Sequence, residues 1–477
     1  MKLLKKIGLL SAIIFALTAC SDTETATAPA TTTAPATTTA PVTATAPVTA
    51  TAPVTATATA TAPAEELVRD LGGLVVRIGS WSASSEPEEK ANAQEEALWA
   101  YRHEMMAKHN FSVEEIAVGK WDTTLEAMST STLTGDPSAE VFRVFSSYVP
   151  MAISNNLCYD VSTLDEFDFS DPKWDNIVED VTARGDSIYG FSLAQDPAIG
   201  LFFNKRLFQE AGLEPDLLYD LQASGEWTWE KMEELLPILT RDINNDGIDD
   251  VHAINFNMGN AVKIILLSNN AMLVDMEEDG TFVNATMRPE AIEAFEWIDY
   301  VSDLPYDAIP HWDGLNDFFI TAQVAMFPAD KATVSAFLEM EDDYGFVAFP
   351  KGPRANNYSF SSNASSWLIP SSFTAEEAAD IAFVMDIWTN EAPGYDGPDD
   401  WMMSEYKFFR DERAVEETLA LAREEGVLKY DYRSSMSGIN TNSLISPIIY
   451  NQMTVMEALE SIQGPYNADI AKANGKY

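Results

Sequence analysis

The alternation of short β-branched runs and amphipathic helices early in the chain most constrains its fold. Leu74–Gly79 has the apolar, β-branched composition of a buried strand, and a helical pattern follows over Glu88–Asn110. A second strand is predicted over Phe111–Val118, a second helix over Thr123–Thr132, and a third strand after the turn that begins at Gly135. This order predicts a parallel α/β sheet, whose ligands bind beyond the carboxyl ends of the strands.

The N-terminus is typical of an export signal. Three lysines precede an apolar run from Ile7 to Leu17, which is too short to cross a bilayer at about 20 residues per span. The run ends in Leu-Thr-Ala-Cys, which resembles a bacterial lipobox, and this resemblance implies that residues 1–19 are removed and that Cys20 is lipidated. Two acyl chains on that cysteine would hold the protein at the extracytoplasmic face of the cell membrane.

Residues 20–64 are predicted to be a linker. From Thr23 to Ala64 the sequence is almost entirely Thr, Ala and Pro, and it lacks the apolar side chains needed for a core. An extended proline-rich chain rises about 3.1 Å per residue, so this segment can reach roughly 120 Å. Residues 65–477 have a globular composition and exceed what a single core usually holds, which predicts two lobes.

Charge and cysteine content exclude several functions. The chain has 29 Lys and Arg against 75 Asp and Glu, giving a net charge of -46, so nucleic acid is not an expected partner. With Cys20 lipidated, Cys158 has no second cysteine for an intramolecular disulfide, and its apolar neighbours favour a buried thiol. The four histidines do not occur at metal-ligand spacing, which argues against a transition-metal receptor.

An acidic loop over residues 242–250 has partial calcium-site spacing. The expected ligands occupy loop positions 1, 3, 5, 7 and 9 around a turn at Gly247, and they are Asp242, Asn244, Asp246, Ile248 through its carbonyl, and Asp250. Position 12, where a helix-loop-helix site supplies a bidentate Glu, is Ala253. Two interpretations stay open, a structural calcium loop between a helix and a strand, or an acidic turn without an ion. No cofactor is expected to be required.

Several segments, in order along the chain, resemble one family. They are Gly135–Phe142, Phe202–Leu213, Thr228–Met232, the acidic loop, Arg288–Ala294, Phe318–Met326 and Phe349–Pro353. Together they resemble family 1 of the bacterial extracellular solute-binding proteins, the sugar-binding lipoproteins of ABC transporters, over nearly all of residues 72–460. The sequence departs from the family at Ala322-Gln-Val, where members often have Gly-Lys-Val.

The resemblance implies an α/β, two-lobed fold of the periplasmic-binding-protein type, with crossing hinge segments and a ligand cleft between the lobes. It implies a monomer that captures a sugar or oligosaccharide outside the cytoplasm and delivers it to an ABC permease. By the same resemblance, Thr228 begins a helix and Trp229 packs in the core.

Ligand contacts are expected from aromatic faces and paired polar groups, since a sugar offers apolar C–H faces and a ring of hydroxyls. The candidates follow predicted strands or lie in loops, and they are Trp81, Tyr148, Asp196, Asn257, Trp312, Asp313 and Trp367. Trp81 and Trp367 are the best of these. For each aromatic the alternative is core or interlobe packing, and for each Asp it is an exposed turn.

Two rival functions share parts of this pattern. A secreted glycosidase needs two carboxylates across a cleft, and the abundance of Asp and Glu neither supplies nor excludes such a pair. The sequence lacks a Gly-x-Ser-x-Gly elbow, a His-Glu-x-x-His motif and a phosphate-binding loop, so no catalytic residues are predicted. A ligand-sensing or adhesive lipoprotein could use the same fold.

Overall fold

The computed structural model of the protein describes residues 68–193, 197–256, 258–277, 280–308, 314–362, 365–436 and 438–475. The predicted signal peptide and linker lie outside these residues, and so does Cys20. Four candidate ligand contacts also fall outside them, namely Asp196, Asn257, Trp312 and Asp313. Their roles, like the lipidation of Cys20, stay predictions.

The helices and strands fall into three successive parts of the chain. The first part contains β1 (Leu74–Ser80), α1 (Ala93–His109), β2 (Phe111–Ala117), α2 (Thr124–Thr134), β3 (Val141–Phe145), α3 (Val149–Ser154), α4 (Asn176–Thr182), β4 (Ala183–Arg184) and β5 (Ser187–Ile188). The second contains β6 (Ile199–Asn204), α5 (Lys205–Glu210), α6 (Leu217–Ser224), α7 (Trp229–Leu239), β7 (His252–Ile254), α8 (Met258–Ser268), β8 (Val274–Met276), β9 (Phe282–Asn284), α9 (Pro289–Ser302), α10 (Leu315–Ile320), β10 (Val324–Asp330), β11 (Tyr344–Val347) and β12 (Phe360–Ser361). The third contains β13 (Ser365–Leu368), α11 (Ala375–Trp388), α12 (Met402–Glu405), α13 (Ala420–Ala422), β14 (Leu428–Lys429), α14 (Thr441–Ile449) and α15 (Val455–Ala473).

The predicted alternation from β1 to β3 is confirmed. The first helix begins at Ala93 rather than Glu88, because the Asn92 side chain caps it by accepting a hydrogen bond from the Glu95 N–H at 2.9 Å. It ends at His109, and the next residue, Asn110, has a φ of 55°, in the left-handed region that commonly terminates helices.

The first sheet has the strand order β13-β3-β1-β2. The strand β1 runs parallel to β2 and β3, as predicted, and β13 adds an antiparallel edge. One face of the sheet carries Phe142, Val144 and Leu368 into a core beneath α2 and α3. The opposite face carries Val76 and Ile78 into a second core beneath α1 and α11.

The second sheet has the strand order β11-β6-β10-β7. Its strand β6, Ile-Gly-Leu-Phe-Phe-Asn, is buried throughout and pairs antiparallel with β10 and β11. A separate hydrophobic core surrounds this sheet and extends to α15. Here Trp229 is buried and stacks on Trp297 with ring centroids 4.3 Å apart, and Thr228 caps α7, as the resemblance implied.

Separate cores around two sheets confirm the predicted two-lobed α/β architecture. The first lobe draws on residues up to 193 and on β13 with α11, while the second draws on residues 198–360 and on residues after Phe409. The chain therefore crosses between the lobes three times, after Leu193, after Phe360, and between Trp388 and Phe409. Across the described residues, no helix is both long and apolar enough to span a membrane.

Cys158 is buried in the first lobe, as its apolar neighbours predicted. Burial raises the pKa of its thiol to about 12, because the thiolate would be desolvated there. This cysteine is therefore a small core side chain.

Ala322 lies in the turn between α10 and β10 and has a φ of 56°. This is the position at which the resembled family often carries glycine. A Cβ in the left-handed region costs about 1 kcal/mol, and glycine avoids that cost. The departure from the family pattern is thus a site of backbone strain.

Replacing Ala322 by glycine is expected to raise the free energy of unfolding by about 0.5 kcal/mol, since the strain relieved exceeds the added entropy of the unfolded chain. Urea denaturation measures the change. The control is Ala325→Gly in β10, where the buried methyl group is lost and stability should fall. A loss of stability in Ala322→Gly would show that the turn is unstrained.

Candidate ligand-binding site

A cavity of about 450 Å³ lies on one face of the first sheet, at the carboxyl ends of its parallel strands. Register pairs Ile78 with Glu115 and with Val141, and it pairs Arg143, two residues after Val141, with Trp367. Paired residues share a face, so these side chains project to the same side of the sheet. Four of them, with Ser80, line the cavity floor.

The walls of the cavity come from three helices and the segments next to them. The α1 wall consists of Asn92, Gln94, Glu95, Leu98 and Arg102; the α11 wall consists of Trp388, Thr389, Asn390, Glu391 and Ala392; and the α12 wall consists of Trp401, Ser404 and Lys407. The lining therefore combines three indole rings with carboxylates, amides, hydroxyls and cations. These are the groups that hold sugar rings and hydroxyls.

Both lobes bound this cavity. Its floor and two walls belong to the first lobe, whereas Trp401 and Met402 pack against the core of the second. The two sides already touch, because the Asn92 Nδ2 donates to the carbonyl oxygen of Met403 at 2.9 Å. The cavity is thus placed where a ligand can contact both lobes.

Arg102 is held in the cavity wall by aromatic contacts. Its guanidinium carbon lies 3.9 Å from the Trp388 ring centroid and 5.1 Å from that of Trp99, and its Nη2 donates to the Trp388 carbonyl at 3.2 Å. Its Nε is buried and has no hydrogen-bond partner within the described residues. Desolvation lowers the pKa of Arg102 to about 10, and the Glu115 carboxylate opposes this shift.

Arg143 projects from β3 beside Trp81. Its guanidinium carbon lies 4.8 Å from the Trp81 ring centroid, and its Nε donates to the Ser365 hydroxyl at 2.8 Å. Arg143 is exposed, yet the surrounding protein desolvates its guanidinium enough to lower its pKa, and the Glu115 carboxylate opposes this shift. Trp81 is therefore placed against a cavity residue and lies beside the lining rather than within it.

Trp367 is half-buried in the cavity floor and packs on Phe191 with ring centroids 5.7 Å apart. Tyr148 lies elsewhere, in a short 3₁₀ turn after β3. It contacts Trp121, whose side chain is 54% exposed and also packs against Phe145. These three rings form an aromatic cluster at the carboxyl end of β3 and do not line the cavity.

The acidic loop lies between α7 and β7, as predicted, and is closed by paired hydrogen bonds between Arg241 and Val251. The Asp242 carboxylate accepts from the N–H groups of Asp246 and Gly247, and the Asp250 carboxylate accepts from that of Asn244. Among the described residues, no three His, Cys, Asp or Glu side chains are grouped to hold a metal. Its own N–H groups hold the turn together, and calcium occupancy stays a prediction.

Calcium, if it binds, is expected to raise the melting temperature more than it changes ligand affinity, because the loop belongs to the second lobe. The Asp246→Ala variant should lose that gain. The Glu234→Ala variant removes an exposed carboxylate from α7 and should keep it. Differential scanning calorimetry with calcium and with a chelator measures both. An identical response in Asp246→Ala and the unaltered protein would exclude the loop as the site.

The sequence predictions missed most of the cavity walls. Arg143 did leave a signal, since Val-Phe-Arg-Val-Phe places one charged residue inside an apolar strand. Glu115 lies similarly within β2. No sequence pattern identified Trp401 and Lys407 as cavity residues, because more than two hundred residues separate them from β3 along the chain.

A sequence model of the bacterial extracellular solute-binding protein family matches residues 100–392. This range covers more than half of the chain and includes every strand of the two sheets except β1. No curated protein matches the chain significantly.

Solved structures with a similar fold include three bacterial binding proteins. The cyclic α-maltosyl-1,6-maltose-binding protein from Arthrobacter globiformis is 13% identical with a TM-score of 0.61, over 84% of this chain and 100% of that one. An ABC substrate-binding protein from Listeria monocytogenes in complex with cycloalternan is 16% identical with a TM-score of 0.56, over 84% and 99%. A protein from Mycobacterium tuberculosis in complex with glycerophosphocholine is 15% identical with a TM-score of 0.59, over 84% and 99%.

Proposed function

The chain belongs to the bacterial extracellular solute-binding proteins, and we propose that it captures a sugar or oligosaccharide and delivers it to an ABC transporter permease. The observation that carries this proposal is the cavity between the first-lobe sheet and α12, which combines Trp367, Trp388 and Trp401 with amides, hydroxyls and carboxylates. Two of the proteins with similar structures bind saccharides, cycloalternan in one case and cyclic α-maltosyl-1,6-maltose in the other.

Capture would proceed by closure of the lobes. A ligand that stacks on Trp367 while hydrogen-bonding to Ser404 of the second lobe binds the closed state more tightly than the open one. Only this difference in affinity shifts the equilibrium towards closure. The chain crosses between the lobes three times, and the segment between Trp388 and Phe409, which lies within the described residues, would act as a hinge.

Delivery would take place at the outer face of the cell membrane. The proposed lipid on Cys20 retains the protein there, and the Thr/Ala/Pro-rich segment gives the binding domain a reach of roughly 120 Å. Radiolabelled palmitate incorporation, lost in Cys20→Ala, tests the anchor. Retention of the label in that variant would exclude lipidation at this residue.

Calorimetric titration of the purified protein with a broad panel of saccharides tests the function. One class should bind and raise the melting temperature, as expected for a ligand of the native state. A chromogenic glycoside assay run in parallel separates transport from catalysis. Turnover would support a glycosidase and contradict the transport proposal, whereas binding without turnover would support it. The absence of binding to every saccharide would refute it.

A further inference from the structure

Two arginines that line the cavity, Arg102 and Arg143, form no ion pair with a carboxylate of the described residues. Among the described residues, neither Arg102 nor Arg143 forms an ion pair, although Arg69, Arg77, Arg206, Arg288, Arg354, Arg413 and Arg433 all do. Arg184 and Arg410 likewise have no ion pair among the described residues, but they donate to backbone carbonyls outside the cavity, whereas Arg102 and Arg143 line it. Aromatic rings instead hold each guanidinium by its face.

This arrangement leaves guanidinium N–H groups free to bind a ligand. A guanidinium stacked on an indole directs its N–H groups outwards in the ring plane, where they fit the two oxygens of a carboxylate. Arg102 donates through Nη2 to one carbonyl and Arg143 through Nε to one hydroxyl, which leaves other donors on both side chains.

Glu115 lines the same cavity but does not occupy these donors. Its carboxylate is close enough to favour the charged form of both arginines, and no hydrogen bond among the described residues joins it to either. Glu95, on the opposite wall, lies 3.8 Å from Lys407 and has its own cation. Glu391 also lines the cavity, so the lining carries three cations and three carboxylates, and among the described residues none of these carboxylates forms an ion pair with either arginine.

We propose that the ligand is an acidic saccharide, such as a uronic acid or a uronate-terminated oligosaccharide, whose carboxylate binds Arg102 and Arg143. The inference rests on the proposed function and names its substrate class. The carboxylate would take the free guanidinium donors while the sugar ring stacks on Trp367 in the same floor. Glu115 would repel the carboxylate and so limit its affinity.

Calorimetry with matched ligands on the full chain tests this assignment. The probes are uronate mono-, di- and trisaccharides, each with its methyl ester and its neutral hexose counterpart, and glycerophosphocholine. The acid is expected to bind at least about 10-fold more tightly than its ester, the effect of one charge-assisted hydrogen-bond pair. Tighter or equal binding of the neutral form would overturn the acidic class and leave the proposed function standing. Binding of no saccharide, or of glycerophosphocholine alone, would refute both.

Variants separate the carboxylate contact from general effects on the fold. Arg143→Gln should abolish the preference for acid over ester, and Glu115→Gln should increase it. Arg354→Gln, which alters an arginine paired with Glu293 outside the cavity, is the control and should leave the preference unchanged. Melting temperatures identify any misfolded variant. An acid preference that persists in both Arg143→Gln and Arg102→Gln would contradict the assignment.

Discussion

Replacing Glu405 by alanine is expected to lower the free energy of unfolding by about 2 kcal/mol, because it removes the buried carboxylate that pairs with the Lys331 ammonium. The Lys331 Nζ lies 2.6 Å from the Glu405 Oε1, and their side chains are only 14% and 8% exposed. This pair joins α12 to the end of β10 in the second sheet. Urea denaturation followed by circular dichroism measures the loss.

The same substitution should weaken ligand binding, since α12 and its neighbours supply Trp401, Ser404 and Lys407 to the cavity. Glu405→Gln keeps an oxygen acceptor for Lys331 and should lose less stability. The matched control is Glu234→Ala, which breaks an ion pair on α7 whose carboxylate is 65% exposed and should change stability by less than about 1 kcal/mol. Equal effects at the two positions would show that the Lys331–Glu405 pair is solvated.

Local patterns were sufficient to predict the first five elements of the first lobe. Alternating β-branched runs and helical periodicity identify β1, α1, β2, α2 and β3, because each element buries residues that are close together in sequence. The antiparallel edge strand β13 was not predicted from this pattern. It pairs with β3 although more than two hundred residues separate the two strands along the chain. Most of these residues form the second lobe, so the pairing depends on how that lobe folds.

The candidate site was predicted only in part. Trp367 lines the cavity, and Trp81 lies against Arg143 beside it. Aromatic residues at strand ends are visible in a sequence, but Arg102 and Trp401 become site residues through packing between α1, α11 and α12. Sequence periodicity places a residue on a helix face and does not identify the element that this face meets. The residues of the cavity walls could therefore be identified only from the tertiary structure.

Trp367→Ala is expected to weaken saccharide binding by about tenfold or more, since it removes the aromatic face from the cavity floor. Trp367→Phe keeps an aromatic face and should retain most of the affinity. Trp81→Ala should weaken binding less, because Trp81 packs against Arg143 and would affect the ligand only through the position of that side chain. Calorimetric titration with the saccharide that binds the unaltered protein measures all three variants.

Stability measurements distinguish a ligand contact from core packing at Trp367, which also contacts Phe191. If its main role is binding, Trp367→Ala should lower ligand affinity and change the melting temperature only slightly. Trp229→Phe in the second-lobe core provides the opposite pattern, since Trp229 stacks on Trp297 away from the cavity lining and should affect stability alone. A Trp367→Ala variant that loses stability but binds the saccharide normally would place this residue in the core and shift the stacking surface to Trp388 or Trp401.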